Sequence, residues 1–254
     1  MNGENYWDKR AQKLQRYKGE ESYTTIPLPF YLYRRSKILD ILNAVDAEGK
    51  RCLDLGCGDG YYSVYLKNRG ANVIGADISN NMLNLAKRRA EKESLDIPFY
   101  KIDGEHLPFS DNYFDIVLTI GALQHVTDVV RLGTLLEEVS RVLAVGGHVM
   151  IFEALTSKKR QHNPKSTMVV RTFAEYVSLF QAHNLALECY SVISSPFYSC
   201  MMWLYDLLKY RLSIPENNRV EIIYSQSLVM ITRYIDKVWH WKRSYLLHGV
   251  FGKR

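Results

Sequence analysis

The stretch "RCLDLGCGDGYY", residues 51–62, sets three glycines at alternate positions behind a short apolar run. A buried strand ending in a tight glycine turn brings backbone N–H groups close to a nucleotide. The glycines alone do not say which nucleotide. The dinucleotide fingerprint G-x-G-x-x-G fits at Gly56 and Gly58, but its third place holds Tyr61. The phosphate-loop pattern fails too, because no G-K-S/T follows. What stands there is G-C-G-D-G, with Asp54 two residues ahead of Gly56.

Outward from this turn, strands and helices alternate. "RCLDL" reads as a strand, 61–69 as a helix and "ANVIGAD" (71–77) as a second strand. "ISNNMLNLAKRRAEKES" follows as a helix with Ser79 as its N-cap. "IPFYKID" (97–103) and the nearly continuous apolar "NYFDIVLTIG" (112–121) are strands three and four. Residues 128–143 form a helix, Gly146 and Gly147 turn the chain, and "HVMIFEA" (148–154) is strand five. Apolar strands separated by helices predict an α/β fold, a doubly wound parallel sheet covered on both faces. Ligands in such sheets bind beyond the carboxyl ends of the strands.

Two helices, 5–18 and 31–45, precede this core, and Ile38, Leu39, Ile41, Leu42 and Val45 share one face of the second. After 155 the rhythm changes. "SKKRQHNPKS" (157–166) is a polar loop, "TFAEYVSLFQAHN" (172–184) a helix and "LALECYSVIS" (185–194) a strand. Two helices, 197–211 and 216–240, are inserted before a final strand, "SYLLHGVFGKR" (244–254).

The 254 residues are 47% apolar and 24% charged, ordinary values for a soluble globular chain that needs no disulfide or metal to fold. Cys52, Cys57, Cys189 and Cys200 form no C-x-x-C pair and no zinc spacing, which fits a reducing, cytoplasmic compartment. "MNGENYWDKR" has no signal-peptide plan, and no apolar run is long enough for a transmembrane helix. Charge is uneven: net +2 over 1–50, −4 over 51–154 and +8 over 155–254. The basic last third suits phosphate, anionic lipid or nucleic acid, or is simply a solvated face.

The acids after the strands narrow the ligand. Asp77 ends the second strand, where a carboxylate accepts hydrogen bonds from both ribose hydroxyls. Asp103 ends the third, within reach of an exocyclic adenine amine. Asp54 lies beneath the glycine turn, where an anion opposes pyrophosphate and suits a ligand ammonium. Adenosine, ribose and a cationic amino-acid tail are the parts of S-adenosyl-L-methionine.

"LDLGCGDG", "GADIS" and "DGEHLPFSDNYFDIVLTIGALQHV" together resemble the class I S-adenosylmethionine-dependent methyltransferases of the type 11 group. The resemblance covers about residues 48–153, with a weaker match of "NYWDKRA" to N-terminal helices that cover the cofactor. It implies a Rossmann-like seven-stranded sheet whose last strand is antiparallel. Taken with the reading of the segments above, the chain divides into N-terminal cofactor-covering helices (1–46), a Rossmann-like core (47–195 and 241–254) and a helical lid insertion (196–240), the last a departure from the family pattern. It implies that Asp54, Gly56, Gly58 and Gly60 line the methionine part, Asp77 holds the ribose and Ile78 packs on adenine. Asp103 and Gly104 would meet the adenine edge, and Ile120 or Gly121 the sulfonium. Met82 joins this cofactor-binding set, and Tyr6, Trp7 and Tyr61 would close over it. The product would be S-adenosyl-L-homocysteine.

Methyl transfer is an in-line displacement at a sulfonium methyl, so the protein chiefly orients the reactants and, for a protonated acceptor, supplies a base. His125 in "GALQHV", just after strand four, is the first candidate base, or a loop anchor. Glu153 at the end of strand five and His162 in the polar loop are the others. "TIGA" replaces the N-P-P-Y-like turn of amino-group nucleic-acid and glutamine methyltransferases, and no Pro-Cys nucleophile is present. The lid carries aromatics such as Trp203 and Tyr205 beside cations such as Arg219 and Arg233, suited to a ring or sugar bearing an anionic group. The expected acceptor is an oxygen or nitrogen of a small-molecule or glycan-type compound. An RNA-modifying enzyme and an inactive cofactor-binding partner subunit are the alternatives. Peripheral membrane contact by 197–210 and a homodimer interface are further uses of the lid; the chain is expected as monomer or homodimer.

Overall fold

The computed structural model describes residues 3–16, 28–156, 167–193 and 246–253, with a few helical positions between 207 and 230. His162 and nearly all of the inserted 196–240 segment lie outside the described residues, as does Cys200. In chain order the elements are α1 (Gly3–Arg16), α2 (Leu28–Asn43), β1 (Arg51–Leu55), α3 (Tyr61–Lys67), β2 (Asn72–Asp77) and α4 (Asn80–Lys92). Then come β3 (Phe99–Lys101), β4 (Phe114–Ile120), a 3-10 turn (Leu123–His125), α5 (Val129–Val142), β5 (Leu143–Ala154), α6 (Phe173–Gln181), β6 (Leu185–Ile193) and β7 (Leu246–Lys253).

The seven strands form one sheet in the order β3-β2-β1-β4-β5-β7-β6. β1 pairs in parallel with β2 and β4, β2 with β3, and β4 with β5; β7 runs antiparallel to β5. This is the sheet that the alternation and the family resemblance imply. Strand order reverses between β1 and β4, so their carboxyl ends flank the crevice where such sheets bind ligands.

The helices start where their sequences supply caps. Ser79 accepts from the N–H of Met82, and Met82, Leu83, Ala86 and Ala90 form the buried face of α4. Asp128 accepts from the N–H groups of Val130 and Arg131 to begin α5. Thr172 and Glu175 complete a reciprocal capping box on α6. One sheet face carries Leu53, Val117, Val149, Ile151 and Phe251, which share a core with Leu132, Leu136 and Val139 of α5 and Tyr176 and Phe180 of α6.

The expected turn at Gly146 and Gly147 is instead absorbed into a twelve-residue β5. α5 ends at Val142, and Leu143 pairs at once with Phe114, so the strand must reset its register before Ile116 meets His148. Gly146 takes φ +75°, and a Cβ on Gly147 would approach Ala144 O at 2.9 Å and Asp115 O at 3.0 Å. The glycines therefore make an irregularity within a strand rather than a break between elements.

The chain divides into two compact units. The first comprises Met1–Ala11, Asp46–Val192 and Tyr245–Arg254, and holds the sheet. The second comprises Gln12–Val45 and Ile193–Ser244, with a cluster of Leu32, Tyr33 and Val229 against Tyr31.

Candidate active site

The glycine turn is built on β1 and tied to β2. Gly56 and Cys57 both donate to Ala76 O, at 2.8 and 3.1 Å, and Gly60 N–H closes on Cys57 O at 3.0 Å. Gly58, at φ +54°, donates to Asp77 Oδ2 at 2.9 Å. A Cβ there would meet nothing within 4 Å, so the backbone faces open space that a ligand can occupy. Asp77 Oδ1 takes the N–H of Ser79 at 2.8 Å. One carboxylate thus joins the loops after β1 and β2, and each oxygen keeps a further lone pair for a ligand hydroxyl. Burial raises the pKa of Asp77, against the bonds from Gly58 and Ser79 and the charge of Lys101.

Asp54 is 2% exposed and accepts a 2.6 Å hydrogen bond from Ser63 Oγ of α3. Burial pushes it up to about 7, opposed by that bond and reinforced by the charges of Asp77 and Asp59. A cation brought close would stabilise its ionised form. Gly56 packs against the loop after β4, its notional Cβ lying 2.5 Å from Ala122 Cβ. Gly121, next to Ile120, takes φ +68° and donates to Phe152 O at 2.9 Å. The turn therefore brings Asp54, Gly56, Gly58, Asp77 and the Ile120–Gly121 corner to one end of the sheet.

Asp103 is engaged in its own loop. Its Oδ1 takes the N–H groups of Glu105 and His106, and its Oδ2 meets His106 Nδ1 at 2.8 Å. The slight burial alone would raise Asp103, but the bonds from the His106 ring and the two N–H groups hold it at about 2. Gly104 lies against Ile78, a Cβ there coming 3.2 Å from Ile78 Cγ2. Met82 is buried in α4. Tyr61 stands beside Tyr62 with the Arg89 guanidinium 5.5 Å from its ring, and Arg89 in turn pairs with Asp59.

α1 crosses this region. Asp8 accepts from Ser79 Oγ at 2.5 Å, Glu4 pairs with Lys101 at 2.6 Å, and Lys101 also reaches Ile78 O. Trp7 meets the His125 ring edge-on at 4.8 Å, and Tyr6 stacks at 6.4 Å. Sequence reasoning passed over Asp8, whose tie to the N-cap of α4 fixes where these two aromatics stand.

His125 ends the 3-10 turn. Its Nδ1 lies 2.9 Å from Thr167 O. A carbonyl only accepts, so Nδ1 carries the hydrogen and the lone pair of the neutral ring sits on Nε2. The side-chain amide of Gln124 approaches that nitrogen at 3.4 Å. Glu153 is fully buried, and its carboxylate accepts from Leu123 N–H at 3.0 Å and Gln124 N–H at 3.2 Å, under the same turn. Among the described residues, no group of His, Cys, Asp and Glu has an arrangement that would hold a metal ion. No described helix is long and apolar enough to cross a membrane.

Residues 53–151 match the family described as a methyltransferase domain. Among curated proteins, the demethylmenaquinone methyltransferase of Thermus thermophilus is 37% identical over 121 residues, 47% of this chain and 53% of that one. A ubiquinone biosynthesis O-methyltransferase of Alkalilimnicola ehrlichii is 35% identical over 131 residues, covering 51% and 49%. The chain thus spans about half the length of the curated relatives it matches. Among solved structures, a Haemonchus contortus phosphoethanolamine N-methyltransferase in complex with S-adenosyl-L-methionine superposes with TM-score 0.67 at 18% identity, over 100% of this chain and 60% of that one. A putative sarcosine dimethylglycine methyltransferase from Galdieria sulphuraria gives 0.66 at 15%, over 97% and 98%. The [4+2]-cyclase SpnF gives 0.63 at 18%, over 87% and 81%, so the fold by itself does not name a reaction.

Proposed function

With residues 53–151 forming a class I, S-adenosylmethionine-dependent methyltransferase domain, we propose that this chain binds S-adenosyl-L-methionine beyond β1 and β4 and transfers its methyl group to an oxygen or nitrogen of a small molecule. The observation that carries the reading is the Asp54–Gly58–Asp77 arrangement, a buried acid on either side of an open glycine backbone. Pyrophosphate would meet two carboxylates there; a cationic amino-acid tail and a ribose meet complementary groups. Relatives named for demethylmenaquinone methylation and ubiquinone O-methylation support a small-molecule acceptor, with oxygen as the first acceptor atom to test. A glycan-type or anionic acceptor rests on the composition of the 196–240 segment alone.

When bound, the cofactor supplies a methyl group already activated by the sulfonium. The residues hold and orient. Asp77 would take the ribose hydroxyls on its remaining lone pairs, and Asp54 would face the ammonium. Ile78 and Gly104 would lie against the adenine, with Asp103 shaping their loop. His125, its hydrogen fixed on Nδ1 by Thr167 O, offers Nε2 to take the acceptor's proton as the acceptor atom attacks, the acceptor displacing the long 3.4 Å contact of the Gln124 amide. Tyr6 and Trp7 close over the histidine and limit water.

Titration calorimetry with S-adenosylhomocysteine tests the core of this reading. Two hydrogen bonds to a charged carboxylate, at about 1.5–3 kcal/mol each, make Asp77→Ala bind at least ~100-fold more weakly. Binding of NADH with no binding of S-adenosylhomocysteine would overturn it.

A further inference from the structure

The turn that carries His125 is braced by two buried, oppositely charged side chains, one of them a residue that no motif singles out. Glu153 accepts from the N–H groups of Leu123 and Gln124. Arg171, 1% exposed, donates from its two terminal nitrogens to Leu123 O at 3.1 Å and Val126 O at 2.8 Å. Two of the turn's donors therefore end on a carboxylate and two of its acceptors on a guanidinium. The backbone of Arg171 is itself fixed: it bridges Leu155, and its carbonyl takes Thr156 N–H at 3.1 Å. Earlier in the same short segment, Val169 N–H binds Gln124 O at 2.7 Å and Thr167 O holds His125 Nδ1. Residues 167–171 thus set both the position of the turn and the hydrogen-bond partner of the ring.

We propose that Arg171 is a positioning residue: with Glu153 it holds the Leu123–Val126 turn so that His125 keeps its hydrogen on Nδ1 and presents Nε2 to the methyl acceptor. What His125 then does rests on the methyltransferase reading above; how it is held does not. An arginine suits the task because its planar fork spans two carbonyls at once, whereas the single ammonium of a lysine is a point donor. Tyr176, flanked by both charges, packs beside the brace: burial raises its phenol, the Glu153 charge adds and the Arg171 charge opposes.

Nitrogen NMR of protein labelled at histidine, with His125 assigned through His125→Gln, reads the tautomer directly. In the wild type, Nδ1 is the protonated nitrogen of the neutral ring. Arg171→Lys keeps the charge, and both His125 resonances move toward the tautomer-averaged position. The double variant Glu153→Gln/Arg171→Met removes the two charges together, which avoids leaving either one buried alone, and gives the same movement. Phe180→Leu, which loosens the same core at its stack on Phe251 and whose side chain makes no hydrogen bond to the brace, leaves His125 unchanged. S-adenosylhomocysteine affinity stays within about twofold of wild type in Arg171→Lys, since Asp54, Gly58 and Asp77, the groups assigned to the amino-acid tail and the ribose, stand at the ends of β1 and β2 and not on the braced turn. Wild-type His125 resonances in folded Arg171→Lys, or in the double variant should Arg171→Lys fail to fold, overturn the proposal. A movement in Phe180→Leu equal to that in Arg171→Lys also overturns it, because general loosening would then suffice. Failure of the wild type to bind S-adenosylhomocysteine would instead count against the methyltransferase reading and leave the tautomer result standing.

Discussion

Replacing Asp54 with asparagine isolates what a buried carboxyl costs the fold before any ligand arrives. The substitution keeps the shape, and the asparagine oxygen still accepts the hydrogen bond that Ser63 Oγ gives Asp54. Burial lifts the folded pKa of Asp54 from 3.8 to about 7. The folded state then binds protons more tightly than the unfolded chain, so stability falls as pH rises between these two values. The penalty is absent below about 3.8, grows across the window and is complete above about 7. About three pH units at ~1.4 kcal/mol each give on the order of 4 kcal/mol. In urea denaturation Asp54→Asn should match the wild type near about pH 4 and exceed it by up to ~4 kcal/mol above about pH 8. The ligand side mirrors this. If the ammonium of S-adenosylhomocysteine needs the ionised acid, the wild-type Kd weakens about tenfold per pH unit below about pH 7, and the variant loses that slope. A stability difference that stays flat with pH would refute burial as the source of the shift. A flat Kd profile in the wild type would refute the contact between Asp54 and the ammonium.

Three further outcomes rest on the geometry. Gly60→Ala places a Cβ 2.8 Å from Ala86 Cβ at φ +76°, so it should lower stability by about 2–4 kcal/mol through the contact between α3 and α4, read as a reduced urea midpoint. Ser79→Ala removes both the cap of α4 and the anchor of Asp8. It should cost about 1 kcal/mol of stability and also speed hydrogen exchange in α1, whereas unchanged exchange there would show that α1 is held by its other contacts. Arg141→Met frees Leu107 O, Phe109 O and Asp111 from one guanidinium, and limited proteolysis should then cut first within 105–111, at sites resistant in the wild type.

The sheet and its switch point were legible because period, caps and glycine spacing are local signals. Val117 and Leu118 read as a buried strand on composition alone, and Ser79 reads as a cap because an amphipathic run begins directly after it. The motif D-x-x-x-L-P-F-x-D-x-x-F-D was legible as a family mark, but the structure gives most of it a bracing role. Phe109 packs edge-on with Phe114, Asp111 pairs with Arg141, and Asp115 pairs with Arg51. Arg171 escaped notice because its partners, the carbonyls of Leu123 and Val126, are backbone atoms 48 and 45 residues away. Its one local signal was a lone cation within the apolar run "MVVRTF". Glu153 read as facing the acceptor because it ends a strand. Its alternation with Phe152 instead turns it to the α5 and α6 side, where the turn's N–H groups use it. The Gly146–Gly147 irregularity depends on the pairing of Leu143 with Phe114, a register that no single segment encodes.

The position of β7 has a consequence for the order in which the sheet is assembled. β6 ends at Ile193 and its hydrogen-bonding neighbour β7 begins at Leu246, while β7 also completes β5. As the chain emerges from the ribosome, β1 to β5 can zip together by successive crossovers, but β6 must wait for its ladder until 52 further residues, 194–245, have been made. Through that interval the outer edge of β5 and both edges of β6 are unpaired strand templates. β7 must then enter between β5 and β6, so closure of the sheet joins the neighbouring strands most distant in sequence and is its least local pairing.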